Sequence, residues 1–288
     1  IMPFDLVIEG ELATGESARV SKTSMCSAWG AVAGTVRYFA DRFGTPRAAI
    51  EGTNIPFDLI RRYAVQSPPT VELRDGKRHQ GLVVEHRMTY AGFQLEQERR
   101  PLSGTFPADL AASARDALAR AVLSGTTEHP SRAAVSRAAK RLEEYWRRSG
   151  GRLEGADPQS VFRRVRSQLD GVDSWGGFLA TPLELDVTAV VPEDARRQLD
   201  ALPDSVHVRG DRVPLVYDLE NGEQVARVSL REGQARRLRV NDLPQLDRPL
   251  RFTVTRGKRE VLRARSVAEL EEGLRRLPRE GREKRRRR

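Results

Sequence analysis

Cysteine is nearly missing from this chain: Cys26 stands alone among 288 residues. A single thiol excludes an internal disulfide and suits a reducing compartment. Histidine is scarce as well. His79, His86, His129 and His207 lie far apart, and none pairs with Cys26 at a metal-ligand spacing, so no metal centre is expected. No apolar run approaches the roughly 18–20 residues that span a bilayer. The most apolar stretch, residues 28–43, is broken by Gly30, Gly34, Arg37, Asp41 and Arg42. No charged n-region leading into an apolar h-region opens the chain, so the expectation is a cytoplasmic protein without a membrane partner. The opening Ile-Met-Pro-Phe reads as the interior of something longer, and a fragment of a larger protein is expected. Catalytic signatures are equally thin: there is no G-x-S-x-G elbow, and no carboxylate pair stands out.

Arginine is what the chain has. Of its fifty basic residues forty-five are arginine, for a formal net charge of +10. The excess is not spread evenly. Residues 1–129 carry fifteen basic and fifteen acidic side chains, and residues 130–203 carry twelve and eleven. Residues 204–288 hold twenty-three against fourteen. A localised positive field is the footprint of a surface that meets phosphate, and the guanidinium fork suits phosphate oxygens better than an ammonium does.

Periodicity divides the chain into five segments of an α+β fold. Residues 1–67 read as a helical connector or winged-helix-like segment. Within it, residues 4–9 form a short strand, and Ala28, Val32, Val36, Phe39, Ala40 and Phe43 recur at helical spacing over 27–43. Pro56 opens a second helix over 56–63. An ordinary helical pair accounts for these two helices equally well. Residues 68–106 read as a small antiparallel meander, with strands at 70–74, 82–90 and 93–98 joined at Asp75-Gly76 and Ala91-Gly92. Residues 107–203 form a helical bundle, with helices at 107–123, 131–148, 158–169 and 192–202. Residues 204–278 form a small antiparallel β unit, OB-like in outline, with a closing helix at 267–277. Asn221-Gly222 is its strongest hairpin signal. Arg209-Gly210-Asp211 reads as another turn. Residues 279–288 are a disordered basic tail carrying a net +5.

One catalytic motif nearly appears. The first strand leads into Gly10-Glu-Leu-Ala-Thr-Gly15-Glu16-Ser17, the spacing of a phosphate-binding loop, but Glu16 occupies the lysine position. A carboxylate there repels the β- and γ-phosphates that the lysine would meet. No catalytic residue is assigned.

Binding signals are stronger. In the helix from Ser131, Val135, Ala139, Leu142 and Trp146 make an apolar stripe, and Arg137, Lys140, Arg141, Arg147 and Arg148 fall on the opposite face within about 100°. A solvated face explains this, and so does a helix laid along a nucleic-acid strand. In the C-terminal unit Arg236, Arg237 and Arg239 cluster, and Arg251, Arg256, Lys258, Arg259, Arg263 and Arg265 surround a second expected hairpin, 250–255 and 260–264 around Arg256-Gly257-Lys258. Aromatic side chains are few here, Tyr217 and Phe252. Contacts to single-stranded RNA or DNA would therefore be mostly to phosphate. The candidate nucleic-acid-binding set is Arg137, Lys140, Arg141, Arg148, Arg236, Arg237, Arg239, Arg251, Arg256, Lys258 and Arg259.

The order of these parts carries a resemblance. The run 84–102, Val-Glu-His-Arg-Met-Thr-Tyr-Ala-Gly-Phe-Gln-Leu-Glu-Gln-Glu-Arg-Arg-Pro-Leu, precedes helices. Leu202-Pro203, a short strand, Val-Pro-Leu-Val-Tyr-Asp (213–218), a hairpin and Val-Ala-Arg-Val-Ser-Leu (225–230) follow. This arrangement, over roughly 80–265, resembles the region C-terminal to the motor in bacterial DExH-box helicases, especially the HrpB-like branch. The resemblance implies an accessory region that packs on two RecA-like motor domains of the same parent chain and guides the nucleic acid. The bundle would be ratchet-like and the β unit would contact RNA. ATP and magnesium would belong to the absent motor domains, because this chain has no Walker A lysine, no Asp-Glu-x-His box and no arginine finger. A non-catalytic adaptor that docks on ribosomal RNA or on an acidic protein partner is the competing expectation.

Overall fold

The computed structural model describes residues 5–24, 26, 30–74 and 80–278. The basic tail, His79, the Asp75-Gly76 joint and the expected helix start at 27–28 lie outside the described residues. The chain divides into two compact units, residues 1–118 with 172–178, and residues 119–171 with 179–288.

The first unit holds two sheets. Strands β1 (Asp5–Ile8), β2 (Ala18–Val20), β3 (Ala31–Ala40) and β4 (Pro46–Ile55) form one, in the order β1-β3-β4-β2. Val7, Val32, Ala48 and Ile50 pack on one side of it. On the other, Leu6, Ile8 and Ala31 pack against Ile60 of α1 (Phe57–Tyr63) and against Phe93. The second sheet is built on β7 (Gly81–Tyr90). It pairs on one side with the short β5 (Val65–Gln66) and β6 (Thr70–Arg74), and on the other with β8 (Phe93–Leu102), antiparallel throughout.

The expected helix over 27–43 is wrong. Its described part is β3, paired along its whole length with β4. Val32, Thr35, Val36, Tyr38 and Phe39 favour the pleated strand, and Val32, Val36 and Ala40, four apart, share one face of a strand as readily as one face of a helix. Gly34 and Gly52 settle the matter. They stand opposite each other, and a Cβ on Gly34 would come within 2.0 Å of the Glu51 carbonyl oxygen. Only two glycines permit that approach. The winged-helix-like reading of 1–67 falls with this helix, since α1 is the sole helix described there.

Helices follow: α2 (Ala111–Ser124), α3 (Arg132–Arg148), α4 (Pro158–Ser167), α5 (Trp175–Ala180), α6 (Val187–Val190) and α7 (Glu193–Asp200). The C-terminal sheet comprises β9 (Ser205–Val208), β10 (Asp211–Glu220), β11 (Glu223–Arg231), β12 (Leu250–Arg256) and β13 (Arg259–Ala264). Asn221 and Gly222 turn β10 into β11 with φ of 52° and 83°, the left-handed pair of a type I′ hairpin. Two expectations for this unit need correction. The sheet is open, in the order β13-β12-β11-β10-β9, and so is not an OB-like barrel. Nor is it wholly antiparallel: α8 (Glu232–Ala235) and a 3-10 turn at Val240–Asp242 carry the chain over, so β12 returns parallel to β11. Ala235 and, from α9 (Val267–Arg276), Leu270 and Leu274 bury one face of the sheet.

Candidate nucleic-acid interface

Strand parity builds the surface. Val206, Val208, Val213, Leu215, Tyr217, Ala226, Val228, Leu230, Phe252 and Val254 point into the core. The residues between them therefore stand on the other face. These are His207 on β9, Arg212 and Val216 on β10, Arg227, Ser229 and Arg231 on β11, Arg251, Thr253 and Thr255 on β12, and Arg263 on β13. Register aligns them across the strands: Arg212 with His207, Val216 with Arg227 and Arg251, and Ser229 with Thr253 and Arg263. The outer face is thus a platform of arginine, serine and threonine, with Val216 half-exposed at its edge.

Acid neutralises one part of this platform. Arg227 meets Asp218 at 3.1 Å and Glu220 at 3.5 Å. Arg251 meets Glu220 at 2.6 Å and also donates to the Arg265 carbonyl. The hydrogen bond from Arg251, aided by the charge of Arg227, holds the Glu220 carboxyl below its ordinary range. Arg263 is paired with Glu260. At the other end Arg209, Arg212 and Arg231 are exposed and have no ion-pair partner among the described residues; Arg212 donates only to the Ser205 hydroxyl, at 3.0 Å. That end presents three exposed arginines around one acid, Asp211, which Gln234 holds at 3.2 Å.

The residues expected from sequence separate into two groups. Arg141, Arg148, Arg236, Arg251 and Arg256 are engaged internally. Arg141 joins Glu144 and Asp200, tying α3 to α7. Arg236 and Arg256 converge on the buried Glu232, at 2.8 and 2.6 Å. They also donate to the carbonyls of Leu274 and Pro278 at the end of α9, where cations are favoured by the helix dipole. Glu232 is consequently held below the usual carboxylate range, chiefly by Arg256. Arg137, Lys140, Arg237, Arg239, Lys258 and Arg259 are exposed, with no ion-pair partner among the described residues. Lys258 and Arg259 sit at the β12–β13 turn.

Arg148 lies furthest from its expected role. It is 5 % exposed, bonded to Asp204 and Glu144 and to the carbonyls of Leu199 and Leu202. Its guanidinium lies 5.3 Å from the centre of the Tyr217 ring, and that of Arg248, 7 % exposed, lies 5.1 Å from the same ring. Arg248 in turn donates to the Arg148 carbonyl. The last turn of α3 packs on β10, so the charged helix face is solvated at Arg137 and buried at Arg148. A groove of about 420 Å³ runs between α3 and β10, lined by Lys140, Arg147 and Val216 and also by the carboxylates of Glu143, Glu144 and Asp204. It brings Lys140 beside the outer sheet face. Arg212 and Arg231 were not among the expected residues. Alternation with Val213 and Leu230 would have found them.

Among the described residues, the loop and the buried titratable groups nearest to catalytic chemistry are held in structural contacts. The loop after β1 closes on itself, with Leu12 N–H donating to the Glu16 carbonyl and Gly15 N–H to that of Leu12. It leads into a strand, so no helix N-terminus awaits a phosphate. In the first unit Glu85 is 2 % exposed and held by Arg99 at 2.6 Å and by Arg87. Its pKa is lowered to about 2, first by the Arg99 hydrogen bond, then by Gln97, against the cost of burial. A permanently ionised carboxylate is not a general acid. His129 is buried between the Thr181 carbonyl and the Ser131 N–H. No cluster of three His, Cys, Asp or Glu suits a metal among the described residues, and no described helix is long and apolar enough to cross a membrane.

No protein-family model matches the sequence, and no curated protein matches it. Two crystal structures show a distant structural resemblance. One is the E. coli DExH-box NTPase HrpB, 15% identical, with a TM-score of 0.37 over 93% of this chain and 33% of that one. The other is the Escherichia coli DEAH/RHA helicase HrpB, also 15% identical, with a TM-score of 0.34 over 78% and 28%. The chain spans about a third of the length of the structures it resembles.

Proposed function

We propose that this chain is a nucleic-acid-binding accessory region of an ATP-dependent DExH-box helicase, holding single-stranded RNA or DNA through its phosphates. The observation that carries the binding is the outer face of the C-terminal sheet. Arg212 and Arg231 stand exposed there without acidic partners, beside rows of serine and threonine whose hydroxyls also donate to phosphate oxygens. Arg237, Arg239, Lys140 and Arg137 add exposed charge on the same compact unit. No exposed Phe, Tyr or Trp ring lies on this face and His207 is its one imidazole, so binding through it depends little on base sequence. The helicase half of the proposal rests on the order of segments over 80–265.

Titrating the full chain against a fluorescent single-stranded oligonucleotide tests the binding. Measurable affinity at low salt is expected, and Arg212→Ala with Arg231→Ala weakens it. No binding at low salt contradicts the proposal. Ending the chain after Pro278 removes seven basic and two acidic residues and is expected to weaken binding without abolishing it. If all affinity leaves with residues 279–288, the sheet is not the surface. The parent sequence before Ile1 tests the rest: a Walker A lysine and an Asp-Glu-x-His box are expected there.

A further inference from the structure

The β3–β4 hairpin is buried at its base and bare at its end. Residues 37–47 bury no side chain, yet they hold Tyr38, Phe39 and Phe43. The whole chain has only three Trp, five Tyr and nine Phe, so placing three rings on eleven unburied residues is a concentration that the core does not explain. Tyr38 is 69 % exposed and Phe43 77 %. Arginines are interleaved with them. The Arg42 guanidinium lies 4.7 Å from the centre of the Phe43 ring, and that of Arg19, on β2, lies 4.7 Å from Phe39. Arg37 is paired with Glu51 at 3.4 Å and Arg47 with Asp41 at 3.2 Å, both largely in solvent. The turn itself is well fixed. Asp41 accepts from the N–H groups of Phe43 and Thr45 at 2.9 and 3.0 Å, which pulls its carboxyl below the ordinary range.

We infer that this arm is a base-stacking site for single-stranded nucleic acid, with Phe43 and Tyr38 as the platforms and Arg42 as the charge beside Phe43. A guanidinium over one face of a ring leaves the other face for a base, and pre-orders the ring at little entropic cost. Apolar protein partners need a continuous apolar patch. Here the two exposed rings stand apart from any continuous apolar patch, and Arg42 lies over Phe43, which complements phosphate and suits a nucleotide strand better. The inference rests on the reading that the chain binds single-stranded nucleic acid. It supplies what the C-terminal face lacks, contact with the bases.

The test uses the full chain, an oligothymidylate and an abasic oligomer of equal length. Tyr38→Ala with Phe43→Ala is expected to weaken binding of the base-bearing strand about tenfold for each ring that stacks. The abasic strand is expected to bind unchanged, and Tyr38→Trp with Phe43→Trp to retain the preference for bases. An unchanged unfolding midpoint confirms that the variants are folded. Equal weakening of both oligomers overturns the inference, because the arm then acts through charge or fold. If the parent chain binds and the alanine pair binds equally well, the arm is a surface for something else, such as a protein, and only this inference falls. If the parent chain binds neither oligomer, the proposed function falls with it.

Discussion

Glu220 accepts from Arg251 at 2.6 Å, and its other carboxylate oxygen stands 3.5 Å from Arg227. One acid thus occupies two of the arginines that face outward from neighbouring strands, and it limits how much of the sheet can meet phosphate.

Replacing that acid should strengthen binding. Glu220→Gln keeps the shape and releases Arg251 from its ion pair at 2.6 Å, while Arg227 keeps Asp218 at 3.1 Å. We expect tighter binding to a single strand at low salt, with the dependence of log affinity on log salt steeper by up to about 0.7 as the released Arg251 engages a phosphate. The stability lost with these partly exposed pairs is small. Titration of the variant checks both, and weaker binding would mean that the pairs position the surface rather than mask it.

Arg148 should behave as a structural residue. Arg148→Ala leaves the Leu199 and Leu202 carbonyls without this donor and Asp204 without its cation, while Glu144 keeps Arg141; unmade bonds of this kind cost about 1–3 kcal/mol. Arg137→Ala, on the solvated part of the same helix, should leave the denaturation midpoint within about 0.5 kcal/mol. Equal effects from the two would mean that Arg148 is not locked as described.

Acid should loosen the first unit through Glu85. Its folded pKa, about 2, is depressed from 4.5. The stabilisation is therefore fully present above the unfolded value and is lost as pH falls from about 4.5 toward 2. Glu85→Gln should flatten that part of the stability–pH curve, measured by urea unfolding between pH 2 and 6. An unchanged slope would contradict the assignment.

Gly34→Ala and Gly52→Ala should each disrupt the hairpin, because the new Cβ meets backbone oxygen at 2.0 Å in either case. Gly44→Ala sits in open space, where its positive φ of 78° is the only obstacle. It should cost less, about 1 kcal/mol. Comparing the three unfolding midpoints checks the ranking.

Much of the second unit was legible because its signals are local. Asn221-Gly222 marks a turn wherever it falls between alternating strands, and the stripe of Val135 and Leu142 marks α3. What escaped depends on residues far apart in the chain. Gly52, eighteen residues on, decides that Val32 and Val36 lie in a strand, and β10, packing only on the last turn of α3, decides that Arg148 is buried. Short helices such as α6 offer too few residues for a period to show. The candidate surface was half legible. Runs such as Arg236-Arg237 drew attention to charge density, whereas the exposed platform is set by parity, with single arginines at 212 and 231 between buried neighbours.

The salt dependence of binding tests the central claim most directly. Affinity of the full chain for a single-stranded oligonucleotide should fall linearly with log salt at roughly −0.7 per neutralised phosphate, and Arg212→Ala with Arg231→Ala should make the slope shallower by about 1.4. A slope that the two substitutions leave unchanged would contradict the assignment of the outer sheet face as the phosphate-holding surface.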